Sequence, residues 1–446
     1  MGFIWNLVIL ELGICSSLRY NISQKEPFLL RGLFYVMQFS LRAFRRQRVN
    51  KKYDVTVAGH ICLDIIPNIP DSGVTEISEL FKPGKLIQVS EAKISTGGPV
   101  SNIGIALKKL GLNVAFMSRV GKDEFGNLII RLLNQQGHTE GVSISAQDRT
   151  SYTIAIAPPG IDRIFLHDPG ANNHFSSDDL NEEIISQSRM FHFGYPPLME
   201  NCFQNAGEEL AQIFRFAKSN GATTSLDMAL PDPNSPSGKA SWRKILEKVL
   251  PFVDIFLPSI EEVFFMLDPD QYFQVKAQAG ARDIVDFIDP GDYTWLAEKC
   301  LQLGSKIVVI KAAHRGVYVR TGNLENREDL EAAPPRDRKN WSNRELWCPA
   351  FRIDKIASAT GSGDSAIAGF LSAYLKGKSL EKALKYANCV GFQNLHELDA
   401  VSGIKEWDQT TTMLEKGQLE MIKLSLQNYG WQWNSEFQLW LGRKEK

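Results

Sequence analysis

The sequence predicts an α/β fold in which a mainly parallel sheet is sandwiched by helices, with a small additional β-sheet. Short apolar segments rich in β-branched residues alternate along the chain with segments of helical periodicity. Buried strands joined by helices are typical of parallel sheets that are covered on both faces. One pair of strands with alternating polarity interrupts this order, and it accounts for the small sheet.

The main alternation begins at residue 53 and continues through most of the chain. Residues 55–59 form a β-branched run that ends in glycine, as expected of a first buried strand. Residues 101–110 carry apolar side chains at helical spacing, and Gly111 ends that helix. The predicted strands are 55–59, 114–117, 223–226, 255–257 and 307–310. The predicted helices are 101–110, 125–137, 208–218, 242–250, 296–303, 365–375 and 380–390.

The predicted small sheet starts from a hairpin. Residues 152–157 alternate in polarity, Pro158-Pro159-Gly160 turns the chain, and residues 164–166 form the returning strand. A hairpin with one exposed face is out of place inside a β/α alternation. We therefore expect it to stand off the main body as a lid.

Residues 1–52 differ from the rest of the chain. The apolar segment 3–15 is interrupted by Asn6 and Glu11, and it is shorter than the about 20 residues that span a bilayer. A basic segment follows at 42–52. We expect a poorly ordered extension, or a start site assigned upstream of Met37. Membrane contact through residues 1–52 is the less favoured alternative.

Composition narrows the partners and the compartment. The chain has 50 Lys and Arg against 51 Asp and Glu, so its net charge of -1 does not favour nucleic acid as the main partner. An anionic ligand would need a local site. Six cysteines lie far apart, without a CxxC pair or a Cys/His spacing typical of a metal site. Reduced thiols in a cytoplasmic protein are the expectation.

Two stretches and the tail complete the organisation. Residues 268–292 and 321–343 interrupt the β/α order, and both are predicted to be surface loops. The tail 404–446 is rich in tryptophan, and its aromatic side chains are expected to pack against the body rather than form a subunit contact.

The strongest chemical signal is the run Thr360-Gly361-Ser362-Gly363-Asp364, which leads into a predicted helix. Unpaired N–H groups at a helix start carry partial positive charge and suit a phosphate, and glycine permits close approach. An Asp beside such a site can accept a proton from an attacking hydroxyl. The same Asp could simply cap the helix. No lysine follows the glycines, so this is not a Walker A motif.

A second signal lies earlier in the chain. Gly97 and Gly98 precede a predicted helix that carries Asn102, whose amide can both donate and accept hydrogen bonds. Asp64 follows the first strand, near the edge where open α/β sheets bind ligands. Asp64 could hold sugar hydroxyls or could be a turn residue, and the glycine pair could equally form an ordinary loop.

A further signal is the segment Pro258-Ser259-Ile260-Glu261-Glu262, where a strand enters a helix. Acidic residues in a first helical turn interact favourably with the helix dipole. Alternatively, Glu262 could position hydrated Mg²⁺ near nucleotide phosphates.

Together, these motifs closely resemble the PfkB (ribokinase-like) carbohydrate kinase family, over roughly residues 53–403. The resemblance rests on Asp64, Gly97-Gly98 with Asn102, the Pro-x-x-Glu-Glu segment and the Gly-Ser-Gly-Asp run. Further matches are Leu110-Gly111, Arg119 to Gly126 and Gly170-Ala171-Asn172. Two well-separated glycine signatures in the family's order make the match specific.

The resemblance implies a Rossmann-like kinase domain at 53–403, with a lid from about 63–95 and 150–173. A sugar would lie between lid and body, held by Asp64, Gly97, Gly98 and Asn102. Asp364 would be the general base, with Gly361, Ser362 and Gly363 stabilising the transferring phosphoryl group. The implied cofactors are ATP and Mg²⁺. The residues implied to bind them are Thr360, Lys311, Gly316 and Asn388 for ATP and Glu262 for the metal.

The sequence departs from the family pattern at three positions. Ser259 stands where the family usually has Asn, and Ser358 stands where it often has an Asp of a monovalent-cation loop. Ala313 replaces a glycine near the expected adenine position. The resemblance therefore leaves K⁺ activation open.

Several alternatives remain at this level. The chain could be a non-catalytic, ligand-binding or regulatory member of the same fold, or its acceptor could be a nucleoside. A nicotinamide-dependent oxidoreductase is disfavoured because no GxGxxG turn follows the first strand. The resemblance also suggests a homodimer through the lid, and Arg163 in the lid could pair with an anionic substrate.

Overall fold

The computed structural model describes residues 51–446, apart from 72, 74, 75, 161, 162, 326, 328, 331, 418 and 444–446. The expectation for the N-terminal extension therefore lies almost entirely outside the described residues. None of the described helices is both long enough and apolar enough to cross a membrane.

Fifteen strands are described. They are β1 Tyr53–Gly59, β2 Cys62–Asn68, β3 Ser90–Gly97, β4 Val114–Gly121, β5 His138–Ser145, β6 Tyr152–Ile156, β7 Ile164–Asp168, β8 Ser188–Gly194, β9 Thr223–Leu226, β10 Ile255–Phe256, β11 Ile307–Lys311, β12 Val317–Thr321, β13 Glu345–Cys348, β14 Gln432–Asn434 and β15 Leu439–Leu441.

The α-helices of the described residues are numbered separately. They are α1 Ile77–Leu80, α2 Pro99–Lys109, α3 Glu124–Asn134, α4 Glu182–Ser186, α5 Glu200–Phe203, α6 Glu208–Ser219, α7 Trp242–Val249, α8 Ile260–Leu267, α9 Pro269–Ala279, α10 Pro290–Gln302, α11 Arg338–Trp341, α12 Ser362–Leu375, α13 Leu380–Asn394 and α14 Trp407–Glu415.

The main sheet has 11 strands in the order β14-β15-β13-β12-β11-β10-β9-β8-β1-β4-β5. The neighbours from β11 to β5 pair in parallel, and the strands from β12 to β14 extend the sheet by antiparallel pairing. The predicted, mainly parallel sheet is confirmed. All five strands predicted for it are present.

Hydrophobic residues cover both faces of the main sheet. Along β11, Ile307 and Val309 belong to one buried cluster, whereas Val308 and Ile310 belong to the other. The first cluster includes residues of α2, α12 and α13, and the second includes residues of α6, α7 and α10. Such alternation between two buried faces explains why the parallel strands read as continuous apolar runs.

A separate sheet of 4 strands has the order β3-β2-β6-β7. The predicted hairpin is its β6–β7 pair, which is antiparallel, and β2 joins β6 in parallel. The sequence did not predict β2 and β3 as strands. Most residues of β3 are exposed, so that strand lacks the apolar alternation by which strands are recognised.

The prediction of a surface loop at residues 268–292 is wrong, because this stretch contains helix α9. Asp268 caps this helix by accepting a hydrogen bond from the Gln271 N–H, and Pro269 occupies the first helical position. Tyr272 and Val275 are buried at helical spacing. The second stretch, 321–343, is mostly irregular in its described part, and it ends with α11.

The tail packs back on the body, as predicted. Strand β15 pairs with β13, which makes the tail the outer part of the main sheet. Trp431 and Trp440 are buried, and the ring of Trp431 lies 6.0 Å from the ring of Tyr318.

Candidate active site

Polar side chains gather where four neighbouring parallel strands end. Tyr195 follows β8, Asp227 follows β9, Ser259 lies beyond β10, and Lys311 is the last residue of β11. The carboxyl ends of strands in an open α/β sheet are the usual ligand-binding edge. A cavity of about 300 Å³ opens there. Six of the sequence-predicted residues line it, namely Glu262, Lys311, Gly361, Ser362, Gly363 and Asp364.

The start of α12 presents backbone donors to this cavity. Gly361 is the N-cap, with a φ of 72°, and a Cβ atom there would lie 2.4 Å from the Ala400 Cβ atom. Glycine is therefore required on both conformational and steric grounds. The Ser362 N–H already donates to the Ala359 carbonyl oxygen at 3.2 Å. The other N–H groups of the first turn have no partner within the helix, by α-helix geometry.

Asp364 is buried, and both of its carboxylate oxygens accept hydrogen bonds. The Asn102 amide donates to one oxygen at 2.8 Å, and the Tyr195 hydroxyl donates to the other at 2.9 Å. Burial raises the pKa of Asp364, while these two donors and the Lys311 ammonium oppose the rise. A carboxylate held this way is a stronger base than an exposed one, and it is fixed in orientation.

The helix-cap alternative for Asp364 is not what the structure contains. The N-cap of α12 is Gly361, and no side chain makes a capping hydrogen bond there. Asp364 instead directs its carboxylate toward Asn102 and Tyr195, which come from other elements.

Lys311 lies among three carboxyl groups. Its Nζ atom is 2.5 Å from an Asp227 oxygen, and the charges of Glu262 and Asp364 also act on it. Burial lowers the pKa of Lys311, but the attraction of Asp227 and Glu262 outweighs burial and leaves that pKa raised. Burial raises the pKa of Asp227 to about 8 and also raises the pKa of Glu262, and the Lys311 ammonium opposes both rises.

This group of carboxyls is suited to a divalent cation. The second carboxylate oxygen of Asp227 is buried without a hydrogen-bond partner among the described residues. Mg²⁺ prefers carboxylate and water oxygens of this kind. Asp227 and Glu262 are therefore the residues that fit Mg²⁺ best.

Glu262 also has a structural role. Its side chain accepts a hydrogen bond from the Ser259 N–H at 2.5 Å, and the Ser259 hydroxyl accepts from the Glu262 N–H at 3.3 Å. This reciprocal pair is a capping box at the start of α8. The helix-start interpretation of this acidic segment is thus confirmed, and the metal role of Glu262 stays a prediction.

The predicted acceptor residues lie close to one another, and Asn102 links them to Asp364. Asp64 is within β2, paired with Ser95 and Thr153, rather than in a turn. Its carboxylate lies so close to Gly97 that a Cβ atom on Gly97 would be 2.2 Å from an Asp64 oxygen. Burial raises the pKa of Asp64. Asn102 connects this group to Asp364 through its amide.

Gly98 joins the small sheet to α2. It is the N-cap of α2, with a φ of 82°, and a Cβ atom there would lie 2.6 Å from the His60 Nδ1 atom. Only glycine combines this backbone conformation with so close an approach.

Three predicted nucleotide-binding residues lie outside the cavity lining. The Thr360 N–H donates to the Ser358 hydroxyl at 3.1 Å. Gly316 accepts a hydrogen bond from the Ala312 N–H in the turn between β11 and β12. The Asn388 amide donates to the Cys348 carbonyl oxygen at 3.0 Å, which fixes the chain beyond β13. Their proposed contacts with ATP remain predictions.

Sequence reasoning missed Tyr195 and Asp227. Asp227 directly follows the predicted strand 223–226, so the rule that ligands bind beyond strand ends could have found it. Tyr195 follows β8, which the sequence did not predict, and it has a φ of 61°. Such a conformation costs about 1–3 kcal/mol for a residue other than glycine, and it is typical of functional sites.

The small sheet contacts the region of the Gly-Ser-Gly-Asp run. Arg163, just before β7, donates to the Ser358 hydroxyl at 2.7 Å. Ser358 in turn donates to the Thr360 hydroxyl at 3.1 Å. One of the departures from the family pattern is thus a contact point for the small sheet.

Comparisons with known proteins agree with this geometry. The model of the pfkB family carbohydrate kinases matches residues 54–407. An uncharacterized sugar kinase of Archaeoglobus fulgidus is 23% identical over 300 residues, covering 67% of this chain and 98% of the relative. Probable fructokinase-5 of Arabidopsis thaliana is 23% identical over 343 residues, covering 75% of this chain and 88% of the relative.

Solved structures show the same fold. Ribokinase of Arabidopsis thaliana, complexed with ribose and ATP, matches with a TM-score of 0.59 and 18% identity, over 81% of this chain and 99% of that one. A putative ribokinase II of E. coli, in complex with ATP and Mg²⁺, matches with a TM-score of 0.57 and 18% identity, over 82% and 99%.

The family match extends over most of the chain, from the first strand of the main sheet to the start of α14. It includes the small sheet, the acceptor residues and the Gly-Ser-Gly-Asp run. The prediction of a phosphotransferase with an alcohol group as acceptor is confirmed at the level of the family. The chain belongs to the pfkB family of carbohydrate kinases.

Proposed function

We propose that this protein transfers the γ-phosphoryl group of ATP to a hydroxyl group of a sugar, with Asp364 as the general base. The observation that carries the proposal is the position of Asp364. It is buried in the first turn of α12, beside the glycine turn, and it is hydrogen-bonded to Asn102 of the acceptor group.

The first step is removal of the acceptor proton. Asp364 accepts the hydroxyl proton as the oxygen attacks phosphorus, and its raised pKa strengthens it as a base. Asn102 and Tyr195 hold its carboxylate in a fixed orientation. General-base catalysis of this kind contributes about 10²–10⁴-fold to the rate.

The second element is the anion hole at the start of α12. The N–H groups of Gly361 and Gly363 face the charge that develops on the transferring phosphoryl group, with support from the helix dipole. The Ser362 N–H contributes less, because it already donates to Ala359. Loss of one donor costs about 2.7–4 kcal/mol in a comparable oxyanion site.

The nucleotide lies beside Lys311, along the C-terminal half of the main sheet. The Lys311 ammonium pairs with phosphate oxygens, and Thr360, Gly316 and Asn388 contribute to the surrounding site. Mg²⁺ would be held near Asp227 and Glu262, directly or through water, and it would neutralise phosphate charge when bound. The similar ribokinase of Arabidopsis thaliana is complexed with ATP, and the putative ribokinase II of E. coli is in complex with ATP and Mg²⁺, which supports this part of the proposal.

The acceptor lies between the small sheet and the main body. Asp64 and Asn102 bind its hydroxyls, and the backbone at Gly97 and Gly98 permits close approach. The small sheet acts as a lid, with Arg163 contacting Ser358 across the opening. A lid of this kind excludes water from the transferring phosphoryl group.

The outer face of the lid supports a homodimer. Ile94, Ile65, Ile154 and Leu166 lie side by side in register across the small sheet. Ile94 and Leu166 are each about half exposed. This aliphatic row on an exposed sheet face is the proposed contact for a second copy of this chain. A cytoplasmic location fits the free cysteines of the described residues.

An ADP-release screen over sugars, sugar acids and nucleosides tests the proposal, with Mg·ATP present and Asp364→Ala as the blank. We expect acceptor-dependent ADP release with at least one sugar. ADP release with nucleosides alone would show that the acceptor is a nucleoside rather than a sugar. If the protein binds ATP in calorimetry but releases no ADP with any compound, the enzymatic function is contradicted. That result would support the non-catalytic alternative.

A further inference from the structure

Two histidines and one cysteine meet between the main sheet and the small sheet. They are His60, which follows β1, Cys62 at the start of β2, and His167 in β7. Their side-chain ligand atoms all lie within 4.8 Å of one another. The catalytic proposal assigns no role to any of the three.

Strand register explains how they come together. Asp64 pairs with Thr153, and Thr153 pairs with His167, so these three side chains point to the same face of the small sheet. Cys62 is two residues before Asp64 on β2 and shares that face. The face is turned toward the main body, because His60 contacts it from the end of β1.

The two imidazoles face each other through their Nε2 atoms, which are 3.3 Å apart. In a tetrahedral zinc site with Zn–N distances of about 2.0–2.1 Å, two ligand nitrogens lie roughly 3.3–3.4 Å apart. The observed separation therefore already matches one edge of such a tetrahedron.

Both rings are prepared to coordinate. The Nδ1 atom of His167 is 3.0 Å from the Thr153 hydroxyl, and this bond orients the ring so that its Nε2 atom faces the Nε2 atom of His60. His60 is buried, and its Nδ1 atom has no hydrogen-bond partner among the described residues.

Cys62 supplies the third ligand atom. Its sulfur lies within 4.8 Å of both histidine ligand atoms, and its thiol donates to an Asp64 oxygen at 3.3 Å. A thiol beside two imidazoles is a soft, mixed donor set. Such a set selects Zn²⁺ and related transition metals over Mg²⁺, which requires hard oxygen ligands.

We propose that His60, Cys62 and His167 bind a transition-metal ion of the Zn²⁺ class, with solvent completing the coordination. The Cys62 thiol loses its proton to solvent when sulfur coordinates the ion. The ion ties the end of β1 in the main sheet to β2 and β7 in the small sheet. The site does not rest on the proposed function, although Cys62 is hydrogen-bonded to Asp64 of the acceptor group.

The test uses the full chain, treated with a chelator and measured without nucleotide. Co²⁺ serves as a spectroscopic probe, because a thiolate–cobalt charge-transfer band requires Cys62 as a ligand. We expect one equivalent of Co²⁺ to bind, tetrahedral cobalt bands to appear, and Zn²⁺ to displace it. Zn²⁺ should also raise Tm, because an ion that binds only the folded protein stabilises it.

Two variants and two matched controls decide the result. Cys62→Ser should remove the charge-transfer band, and His167→Ala should weaken Co²⁺ binding at least tenfold and abolish the Tm rise. Cys389→Ser and His396→Ala, which change the same residue types elsewhere, should behave as wild type. His167 is exposed, so its variant remains informative if Cys62→Ser fails to fold. No binding by folded wild type, or bands that persist in both variants, would overturn the proposal.

Discussion

At the scale of single residues, the proposed catalysis depends on the protonation of Asp364. Burial raises its pKa, and hydrogen bonds from Asn102 and Tyr195 limit that rise. A base acts only while it is ionised, so activity should fall as pH drops through the pKa of Asp364. The pH at which activity falls on the acid side of the profile therefore depends on these neighbouring side chains.

Tyr195→Phe tests this dependence. The variant removes a donor that stabilises the charged carboxylate, so the pKa of Asp364 should rise further. The acid limb of kcat/KM should shift to higher pH, with little change on the plateau. Tyr429→Phe, at a partly exposed position outside the site, is the control. An unchanged acid limb in Tyr195→Phe would show that the hydrogen bond from Tyr195 does not influence the pKa of Asp364.

The sequence predicted part of this residue network. Asp364 and Asn102 stand in recognisable glycine-rich motifs, and the structure joins them by a hydrogen bond. Tyr195 and Asp227 lie outside those motifs and reach the site only because β8 and β9 are neighbours in the sheet. Pairing of distant strands is not visible in local sequence patterns. The cluster of His60, Cys62 and His167 was missed for the same reason.

At the scale of elements, the turn before α12 lines the cavity, and we propose that it aims backbone donors at the phosphoryl group. Gly361→Ala should disturb it, because its φ of 72° disfavours a side chain and a Cβ atom would lie 2.4 Å from Ala400. Misplacing the turn should lower kcat about 10²-fold. Steady-state kinetics and chemical denaturation together measure the effect.

Gly221→Ala is the matched control for that prediction. Gly221 has a φ of 73° and nothing within 4 Å of a built Cβ atom, so only the backbone cost applies. That cost is about 1–2 kcal/mol. The control should lose this stability and keep its kcat. Equal loss of kcat in both variants would show that general destabilisation, rather than the turn, controls turnover.

Element prediction succeeded where apolar periodicity was strong. The helices that became α2, α6 and α12 were recognised within a few residues of their ends. Helix α9 was missed although Asp268-Pro269 is a good helix start, because the charged residues around it resemble a loop. Strand β3 is mostly exposed, and its position is fixed by pairing with β2 rather than by its own pattern.

At the scale of the whole molecule, the tail belongs to the main sheet. Trp440 of β15 is buried, whereas Trp433 of the neighbouring β14 is 45% exposed, and the two rings contact each other. Trp440→Ala should lower the free energy of unfolding by about 3–5 kcal/mol. Trp433→Ala should cost far less in the same denaturation experiment. Equal costs would show that the tail is not part of the core.

The small sheet and the main sheet together define the proposed site. The fold class was accessible from sequence because the β/α alternation is regular, and the small sheet was indicated by a single hairpin. The site required the assembled molecule, because Asp64 and Asn102 lie far from Lys311 and Asp364 in the chain. The folded chain brings Asn102 of α2 and Asp364 of α12 into hydrogen-bond contact, and Lys311 lies at the end of β11 in the same cavity lining as Asp364.

The most direct test of the central claim is the turnover of Asp364→Asn with the acceptor found in the screen. The substitution keeps the size of the side chain but removes the base. The account predicts that kcat falls about 10²–10⁴-fold, while calorimetry shows that the folded variant still binds ATP. A kcat close to wild type would contradict the assignment of Asp364 as the catalytic base, in protein whose introduced Asn has not deamidated back to Asp.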